Sequence, residues 1–365
     1  MKAAVLFEVN TPLRIVEVTL DPPKAGEARV RMKAAGICQS DWHMMNGDWP
    51  SKLPLVPGHE AAGIVEEVGP GTADVSVGDH VIFSFAGHCG NCRYCNVGRS
   101  YLCVGHIAVP RGALLDGTHR MHHEGADLQQ MTRIGCFAQE VVAPAEMLVP
   151  IRKDMPFAQA ALIGCSVATG IGSVTRNAKV EAGASVLVIG CGGVGLNVVQ
   201  GAKLAGAGRI IAADILDSKL ARARSFGATD LINAGGDDLV KRVKALTGGF
   251  GADYAFDTVA TEKTLPFAFE AIAPAGRAVA VGVPSLKTQV SFSPFMMVLG
   301  EKTIGGAYYG SSRPQIDFPV LVDHYLAKRI DIDSLISRTY RLDEINEGFK
   351  AMMAGEVARG VVVFD

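Results

Sequence analysis

The stretch SVLVIGCGGVGLNVVQGAKLAGAGRIIAAD, residues 185–214, decides the fold of this 365-residue chain. It contains an apolar run, a glycine-rich turn, a helical stretch and a second apolar run that ends at Asp214. A strand, a helix and a strand in this order are typical of a parallel sheet with helices on both faces. The later runs ADYAFDTVA, RAVAVGVP and KTIGGAYYG continue the same rhythm. The sequence therefore predicts an α/β domain with a doubly wound parallel sheet.

The glycine-rich turn contains the pattern G-x-G-x-x-G as Gly190, Gly192 and Gly195. Glycines there let backbone N–H groups approach a pyrophosphate at the N-terminus of a helix, where the helix dipole favours anions. Asp214 follows about twenty residues later, where an acid accepts hydrogen bonds from the ribose hydroxyls of adenosine. Because a carboxylate also repels a 2′-phosphate, the pattern predicts NAD rather than NADP. The alternative, that the glycines only permit close packing of a helix on a sheet, stays open.

The residues before about 150 show a different pattern of apolar residues. They form short strand-like runs, such as ARVRMKAAGI and AAGIVEEVG, that are broken by Gly and Pro. Such runs predict an all-β, barrel-like domain. The final stretch DEINEGFKAMMAGEVARGVVVFD is typical of a helix followed by a strand, which could belong to either domain. Two domains are what a chain of this length usually forms.

Composition and charge argue against several classes of partner. The formal net charge is −2, which gives no electrostatic reason to expect nucleic acid or an anionic membrane as partner. No signal peptide is visible at the N-terminus. The uncharged stretches 161–175 and 182–202 are rich in Gly and small residues, as in a buried α/β core rather than a membrane span. We therefore expect a cytoplasmic protein without nucleic-acid or membrane partners.

The run HCGNCRYCNVGRSYLC, residues 88–103, concentrates half of the eight cysteines of the chain. Its cysteines are Cys89, Cys92, Cys95 and Cys103. A cytosolic address disfavours disulfides, and a redox C-x-x-C pair would need only two cysteines. Four thiolates can surround one tetrahedral zinc ion. The spacing favours a structural zinc site, with a chance cluster or a redox pair as the alternatives.

Three further residues suggest a second metal site. They are Cys38 in GICQSDWH, His59 in PGHEAAG and Cys165 in IGCSVATG. Taken singly, each has a plain structural interpretation, because buried cysteines usually behave as small hydrophobic residues. Taken together, two cysteines and one histidine match the open catalytic zinc site that alcohol dehydrogenases use.

With these motifs in place, the whole chain resembles the zinc-dependent alcohol dehydrogenases of the medium-chain dehydrogenase/reductase superfamily. The resemblance also includes PGHEAAGIVEEVG, LIGCSVATGIGS, AADILDSK, INEGF and the terminal ARGVVVFD. It implies a GroES-like catalytic domain of residues 1–166 and 309–365, with its zinc lobe at about 88–104, and an inserted Rossmann NAD-binding domain of residues 167–308. It also implies NAD as cofactor and two Zn²⁺ per chain. The length of the loop 105–135 is similar to that of dimeric members, so we expect a homodimer joined through the Rossmann sheets.

The same resemblance implies catalytic roles for residues beside the metal ligands. Ser40 and His43 match the hydroxyl and the imidazole that pass the alcohol proton to solvent. Asp41 matches an acid that hydrogen-bonds to His59 and orients it. Glu60 matches the acid behind the zinc, where it either assists ligand exchange or forms a structural ion pair.

For the cofactor, the resemblance implies that Thr169 lies by the nicotinamide, Lys219 by the adenosine ribose and Arg359 by the pyrophosphate. The other candidates for cofactor binding are Gly190, Gly192, Gly193, Val194, Gly195, Asp214 and Val283. One residue departs from the family pattern. The residue after Cys38 is often basic and helps to bind pyrophosphate, whereas here it is Gln39. This departure predicts weaker binding of NAD(H).

Two enzymatic functions fit these motifs. The first is NAD-dependent oxidation of primary or aromatic alcohols to aldehydes. The second is a thiol-dependent formaldehyde dehydrogenase acting on an S-hydroxymethyl adduct of glutathione or mycothiol. A glutathione adduct carries carboxylates and would need basic pocket residues, for which Arg111, Arg120 and Arg133 are the candidates. A nucleic-acid-binding zinc module needs a basic surface, which a chain with a formal net charge of −2 gives no reason to expect. A zinc-free reductase of the superfamily would lack Cys38 and His59.

Overall fold

The computed structural model describes residues 1–109, 112–236 and 238–365 and divides the chain into two compact units. Unit 1 contains Met1–Cys165, Arg313–Lys328 and Ile332–Asp365, and unit 2 contains Ser166–Ser312 and Arg329–Asp331. The sequence predicts domain boundaries after residues 166 and 308, and the two units meet along the chain after Cys165 and Ser312.

The described residues form short strands in the first half of the chain and alternating strands and helices in the second. The strands are β1 (Lys2–Val5), β2 (Arg14–Glu17), β3 (Thr19–Leu20), β4 (Glu27–Ile37), β5 (Leu55–Val56), β6 (Ala61–Val68), β7 (His80–Phe83), β8 (Met121–His123), β9 (Ala126–Asp127), β10 (Gln129–Gln130), β11 (Glu140–Pro144), β12 (Leu148–Ile151), β13 (Ser185–Ile189), β14 (Arg209–Asp214), β15 (Asp230–Asn233), β16 (Ala252–Asp257), β17 (Ile272–Ala280), β18 (Thr303–Gly306), β19 (Ile336–Tyr340) and β20 (Arg359–Val363). The α-helices are α1 (Gln39–Met45), α2 (Arg93–Asn96), α3 (Val104–Ile107), α4 (Phe157–Leu162), α5 (Ala168–Gly172), α6 (Gly193–Leu204), α7 (Asp217–Phe226), α8 (Leu239–Leu246), α9 (Thr264–Ala271), α10 (Pro294–Gly300), α11 (Pro314–Leu326) and α12 (Ile345–Met353).

Unit 1 is built on a seven-stranded sheet with the order β12-β7-β6-β4-β20-β19, in which β11 also pairs with β4. Every pairing in this sheet is antiparallel except that of β19 with β20. The long strand β4 lies at its centre, and its side chains are mostly buried, as expected for a strand with partners on both sides. The C-terminal strand β20 pairs with β4 through Gly360 and Ile37, so the last segment of the chain belongs to unit 1.

Unit 2 contains a six-stranded sheet in which all pairings are parallel. The strand order is β15-β14-β13-β16-β17-β18, which is the order 3-2-1-4-5-6 of a Rossmann fold. Apolar side chains of its strands and helices form one core, including Leu187, Ile211, Val243 and Phe269. The predicted fold class, a doubly wound parallel sheet together with a β-rich domain, is confirmed.

One helical run, Phe157–Ala178, is long and apolar enough to cross a membrane by length and composition, with a mean hydropathy of 1.5. However, 83% of that window is buried within the protein. Because core helices of soluble proteins meet the same two criteria, the run is weak evidence for a membrane span.

Candidate active site

Three of the predicted metal ligands lie together in unit 1. The ligand atoms of Cys38, His59 and Cys165 all lie within 4.8 Å of one another, and all three side chains are buried. Two thiols and one imidazole in a buried pocket are the donor set of an open catalytic zinc site. The residues present therefore fit a zinc ion.

The pairing of β4 with β6 brings the first two ligands together. Cys38 directly follows β4 and caps α1, while His59 and Glu60 directly precede β6. The backbone N–H of Gly36 donates to the carbonyl of Glu60 at 2.7 Å, which extends the antiparallel pairing to the ligands themselves. The two ligands are thus fixed by the ends of neighbouring strands rather than by a flexible loop.

The third ligand lies on an irregular helical turn. Cys165 belongs to the π-helical turn Ile163–Val167, which follows α4. A Cβ on Gly164 would lie only 2.8 Å from the carbonyl oxygen of Phe83, so glycine allows this turn to approach β7 closely. Single π-helical turns inside helices frequently occur at functional sites.

Asp41 lies behind His59 and is completely buried. Its Oδ2 accepts a hydrogen bond from the backbone N–H of Cys38 at 3.0 Å, and its Oδ1 accepts one from that of Gly58 at 3.1 Å. The same Oδ1 lies 3.1 Å from Nδ1 of His59. A carboxylate at Nδ1 keeps the proton on that nitrogen and leaves Nε2 as the ligand atom.

The electrostatics of the ligand set follow from burial and from these contacts. Burial lowers the pKa of His59, but the Asp41 carboxylate outweighs it and raises this pKa to about 10. Hydrogen bonding with Cys165 holds the pKa of the Cys38 thiol well below its usual value, although burial opposes it. Because metal binding needs neutral imidazole and thiolate, uptake of zinc releases protons here.

Glu60 and Arg359 form a buried ion pair. Arg359 begins β20, the strand that pairs with β4, and its Nε has no hydrogen-bond partner within the described residues. A Cβ on Gly36 would lie 2.7 Å from the Glu60 carboxylate, so only glycine leaves room for it. Of the two roles predicted for Glu60, the structure contains the ion pair. The predicted contact of Arg359 with a pyrophosphate stays a prediction.

The two predicted relay residues lie on α1. Ser40 is partly buried in its first turn. The ring of His43 stacks on Trp49 with a centroid distance of 4.9 Å, and its Nδ1 lies 2.9 Å from Oδ2 of Asp48. Asp48 was not among the residues predicted from the sequence. The sequence feature that could have indicated it is an acid five residues after His43, with Gly47 between them as a residue that allows the chain to turn.

The four-cysteine run of unit 1 gathers its sulfur atoms as the spacing predicts. The ligand atoms of Cys89, Cys92, Cys95 and Cys103 lie within 4.8 Å of one another. Cys92 Sγ is 3.6 Å from that of Cys95, well beyond a disulfide bond, and all eight cysteines of the chain are thiols. Backbone N–H groups lower the pKa of Cys92 to about 6, whereas burial raises that of Cys95 to about 12. This donor set fits a four-thiolate zinc site.

The glycine turn of unit 2 leaves the start of α6 open. A Cβ on Gly192 would meet no described atom within 4 Å, whereas a Cβ on Gly195 would lie 1.8 Å from the carbonyl oxygen of Gly190. Gly190 has φ +88°, which favours glycine. The helix N-terminus has no side-chain cap, so its N–H groups are available to an anion. The turn therefore fits the pyrophosphate of a dinucleotide.

Asp214 ends β14 beside this turn and is buried. Its Oδ2 accepts a hydrogen bond from the backbone N–H of Cys191 at 2.8 Å, and its Oδ1 accepts one from Leu216 at 3.0 Å. The acid thus fixes the turn, which the sequence analysis did not predict. Thr258 was also missed; its hydroxyl donates to the carbonyl of Gly190 at 3.0 Å and packs against that glycine.

The remaining cofactor candidates are spread over unit 2. Thr169 is buried in α5, Val194 is partly buried in α6, Lys219 is partly buried in α7, and Val283 is exposed after β17. Gly193 is the first residue of α6.

Two of the three loop arginines, Arg120 and Arg133, have hydrogen-bond partners inside unit 1. Arg120 is fully buried, with two hydrogen bonds to Glu27 at 2.9 and 2.6 Å and one to Asp116 at 2.8 Å. Arg133 is also buried and donates to two backbone carbonyls at 2.7 and 3.1 Å. Arg111 lies outside the described residues. Arg120 and Arg133 therefore tie the loop to its own unit.

Comparison with known proteins agrees with this geometry. A family model described as zinc-binding dehydrogenase matches residues 193–327, and one described as alcohol dehydrogenase GroES-like domain matches residues 24–153. The chain is 39% identical over 365 residues to an NDMA-dependent alcohol dehydrogenase of Amycolatopsis methanolica, covering 99% of this chain and 98% of that protein. It is 40% identical over 373 residues to an S-(hydroxymethyl)glutathione dehydrogenase of Paracoccus denitrificans, covering 100% and 99%. The crystal structure of benzyl alcohol dehydrogenase from Acinetobacter calcoaceticus superposes with a TM-score of 0.94 at 31% identity, covering 100% and 99%.

Proposed function

The chain belongs to the zinc-dependent alcohol dehydrogenases of the medium-chain dehydrogenase/reductase superfamily, and we propose that it oxidises primary and aromatic alcohols to aldehydes with NAD⁺ as the hydride acceptor. The observation that carries this proposal is the buried cluster of Cys38, His59 and Cys165. Three protein ligands of this kind leave a position for substrate, whereas the four-cysteine cluster is a closed structural set.

The residues of unit 1 hold the metal and move the proton. Cys38, His59 and Cys165 would hold a zinc ion, which supplies Lewis acidity that lowers the pKa of an alcohol hydroxyl. Asp41 keeps His59 in the tautomer that binds metal. Ser40 and His43 pass the alcohol proton away from the reacting carbon.

The residues of unit 2 hold the dinucleotide. NAD⁺, when bound, accepts the hydride from the alcohol carbon. The N–H groups at the start of α6 bind its pyrophosphate, and the open space beside Gly192 admits it. The carboxylate of Asp214 accepts hydrogen bonds from the ribose hydroxyls and repels the 2′-phosphate of NADP.

The contacts of Arg120 and Arg133 favour plain alcohols over thiol adducts as substrates. An adduct of glutathione brings carboxylates that need cationic partners. Arg120 is paired with Glu27 and Asp116, and one guanidinium nitrogen of Arg133 donates to two backbone carbonyls. The likeness to benzyl alcohol dehydrogenase supports an aromatic alcohol as substrate. The likeness to S-(hydroxymethyl)glutathione dehydrogenase keeps the thiol-dependent reaction as the second candidate.

The proposal is tested by following NADH formation by purified, zinc-replete protein. Aliphatic, benzylic and terpenoid alcohols are compared with formaldehyde, the latter with and without glutathione or mycothiol. NADP⁺ and NDMA replace NAD⁺ in parallel reactions. We expect benzylic and other primary alcohols to be oxidised with NAD⁺ and without thiol. Activity only with formaldehyde plus a thiol would establish the second candidate, and turnover that requires NDMA would contradict NAD⁺ as the acceptor.

A further inference from the structure

The turn after α1 folds back onto His43. Gly47 has φ +80°, and the backbone N–H of Trp49 donates to the carbonyl of His43 at 3.0 Å. Asp48 is locked in this turn by Asn46, whose Nδ2 donates to Asp48 Oδ2 at 2.7 Å and whose Oδ1 accepts from the Asp48 backbone N–H at 3.0 Å. The hydrogen bonds of Asn46 therefore fix the position of the Asp48 carboxylate independently of its contact with His43.

The ring of His43 is constrained on two sides. Its face stacks on Trp49 with an interplanar angle of 24°, and its Nδ1 lies 2.9 Å from Oδ2 of Asp48. An ionised carboxylate only accepts hydrogen bonds, so Nδ1 carries a proton in this arrangement. The neutral ring then has its lone pair on Nε2, which is the nitrogen free to take up a proton.

We propose that Asp48 is a positioning residue for His43, which fixes the ring and its tautomer so that Nε2 is the atom that exchanges the alcohol proton. The inference rests on the proposed function, because it gives one step of that reaction a definite atom. Asp48 does not touch the substrate; it acts through His43, as a buried aspartate acts on the histidine of a catalytic triad.

A double-mutant cycle on the zinc-replete enzyme tests the proposal. Asp48→Asn keeps the size of the side chain and removes its charge, and His43→Gln removes the relay. We expect Asp48→Asn to lower kcat for alcohol oxidation by about tenfold or more, with KM for the alcohol changed by less than about twofold. The double variant should be no slower than His43→Gln alone, because Asp48 has no function without its histidine.

The matched control is a second Asp–His pair in unit 1. Asp127 Oδ1 lies 3.0 Å from Nδ1 of His122 in the small sheet formed by β3, β8 and β9. Asp127→Asn should leave kcat unchanged. An unchanged kcat for Asp48→Asn would overturn the proposal, as would effects of Asp48→Asn and His43→Gln that multiply in the double variant.

A measurement without substrate separates this inference from the proposed function. In ¹⁵N spectra of histidine-labelled, zinc-replete protein, neutral His43 should be protonated at Nδ1. In Asp48→Ala it should shift toward the Nε2-protonated form that imidazoles favour in water. An unchanged tautomer overturns the inference even if alcohols are oxidised. The expected change in a protein that oxidises no alcohol would uphold the positioning of His43 and refute only the proposed function.

Discussion

The Glu60–Arg359 pair lies near the metal ligands, and both side chains are buried. Enclosed charges gain little net stability from each other, because both have lost their hydration. Removing one of them is costly, since the other then stays buried without a counter-charge. The Glu60 carboxylate packs against Gly36, where a Cβ would lie only 2.7 Å from it.

We therefore predict that Glu60→Gln lowers the free energy of unfolding by about 3–5 kcal/mol, measured by urea denaturation of the zinc-replete protein. Adding Arg359→Met to Glu60→Gln should restore part of this loss. The matched control is Glu66→Gln, because the Glu66–Arg31 pair lies in the same sheet, between β6 and β4, but is partly exposed. Its cost should be below about 1 kcal/mol. Equal costs for the two single variants would contradict the prediction.

Gln39 is exposed at the start of α1, at the position where the family pattern of the sequence analysis has a basic residue. An added arginine would give the pyrophosphate one more charge-assisted hydrogen bond. We expect Gln39→Arg to bind NADH more tightly by about 1–2 kcal/mol, or about 5- to 30-fold in Kd, in a fluorescence titration. Gln39→Met controls for the loss of the glutamine amide without adding a charge and should change Kd little. If arginine does not tighten binding, this position does not contact the cofactor.

At the scale of elements, the glycines of the turn before α6 have two different roles. One glycine is required by the packing of the turn, and another leaves space for the cofactor. Gly195 is needed for folding, because a Cβ there would overlap the carbonyl of Gly190 at 1.8 Å. Gly192 is different, because a side chain there would enter open space and its φ of −77° suits any residue. The conformation therefore tolerates a larger residue at position 192, whereas a bound pyrophosphate would not.

We predict that Gly192→Val keeps the thermal stability of the parent but weakens NADH binding by more than about tenfold, since the side chain occupies the space of the pyrophosphate. Gly195→Ala should instead destabilise the protein by about 1–3 kcal/mol or more, because the backbone must shift. Thermal unfolding and NADH titration of both variants measure the two effects. Binding of NADH by Gly192→Val with the affinity of the parent would show that the dinucleotide lies elsewhere.

Variants of the two cysteine clusters are expected to differ in stability and activity but not in metal content. The parent should contain two zinc ions per chain by elemental analysis, and Cys95→Ser and Cys165→Ser should each contain one. Cys165→Ser should lose alcohol oxidation but keep its stability, whereas Cys95→Ser should lose the folding energy of a structural site. Cys136→Ser is the control, because that buried thiol lies outside both clusters. Two zinc ions in both cluster variants would contradict the assignment.

The lobe should also lose zinc on acidification. Burial raises the pKa of Cys95 to about 12, whereas backbone N–H groups lower that of Cys92 to about 6. Protons therefore compete with zinc for Cys95 already at neutral pH and for Cys92 as well below about pH 6, so affinity falls steadily as the pH falls. The measurement is the zinc content of Cys165→Ser as a function of pH. This variant is expected to keep only the zinc ion of the four-cysteine lobe, so its zinc content reports on the lobe alone.

Motifs and apolar runs were enough to predict the elements, but not the contacts between distant segments. The runs SVLVIG and RIIAAD predict buried parallel strands because such strands are apolar on both faces. The pairing of β20 with β4 joins residues more than 300 positions apart, and local pattern alone left that segment unassigned. The contacts of Asp48 with His43 and of Asp214 with Cys191 depend on turn geometry that residue types do not specify.

At the scale of the whole molecule, unit 2 has a surface suited to a second copy of the chain. On α10 the side chains of Phe295, Val298 and Leu299 are 68%, 74% and 70% exposed. Beside them in the chain, β18 pairs only with β17 within the described residues, so one edge of the sheet is open. An exposed apolar cluster next to an open strand edge is typical of a protein interface. We propose that two chains form a symmetric dimer through this face.

The dimer is tested by light scattering during size-exclusion chromatography. The parent should have twice the chain mass of 38.4 kDa, and the double variant Val298→Asp/Leu299→Asp should have the mass of one chain, because burying two carboxylates in an apolar interface is costly. Phe250→Asp is the matched control, since Phe250 is 71% exposed in unit 2 but lies outside α10 and β18. It should remain a dimer. A monomeric parent would refute the dimer itself, whereas a double variant that stays dimeric would place the interface on another face.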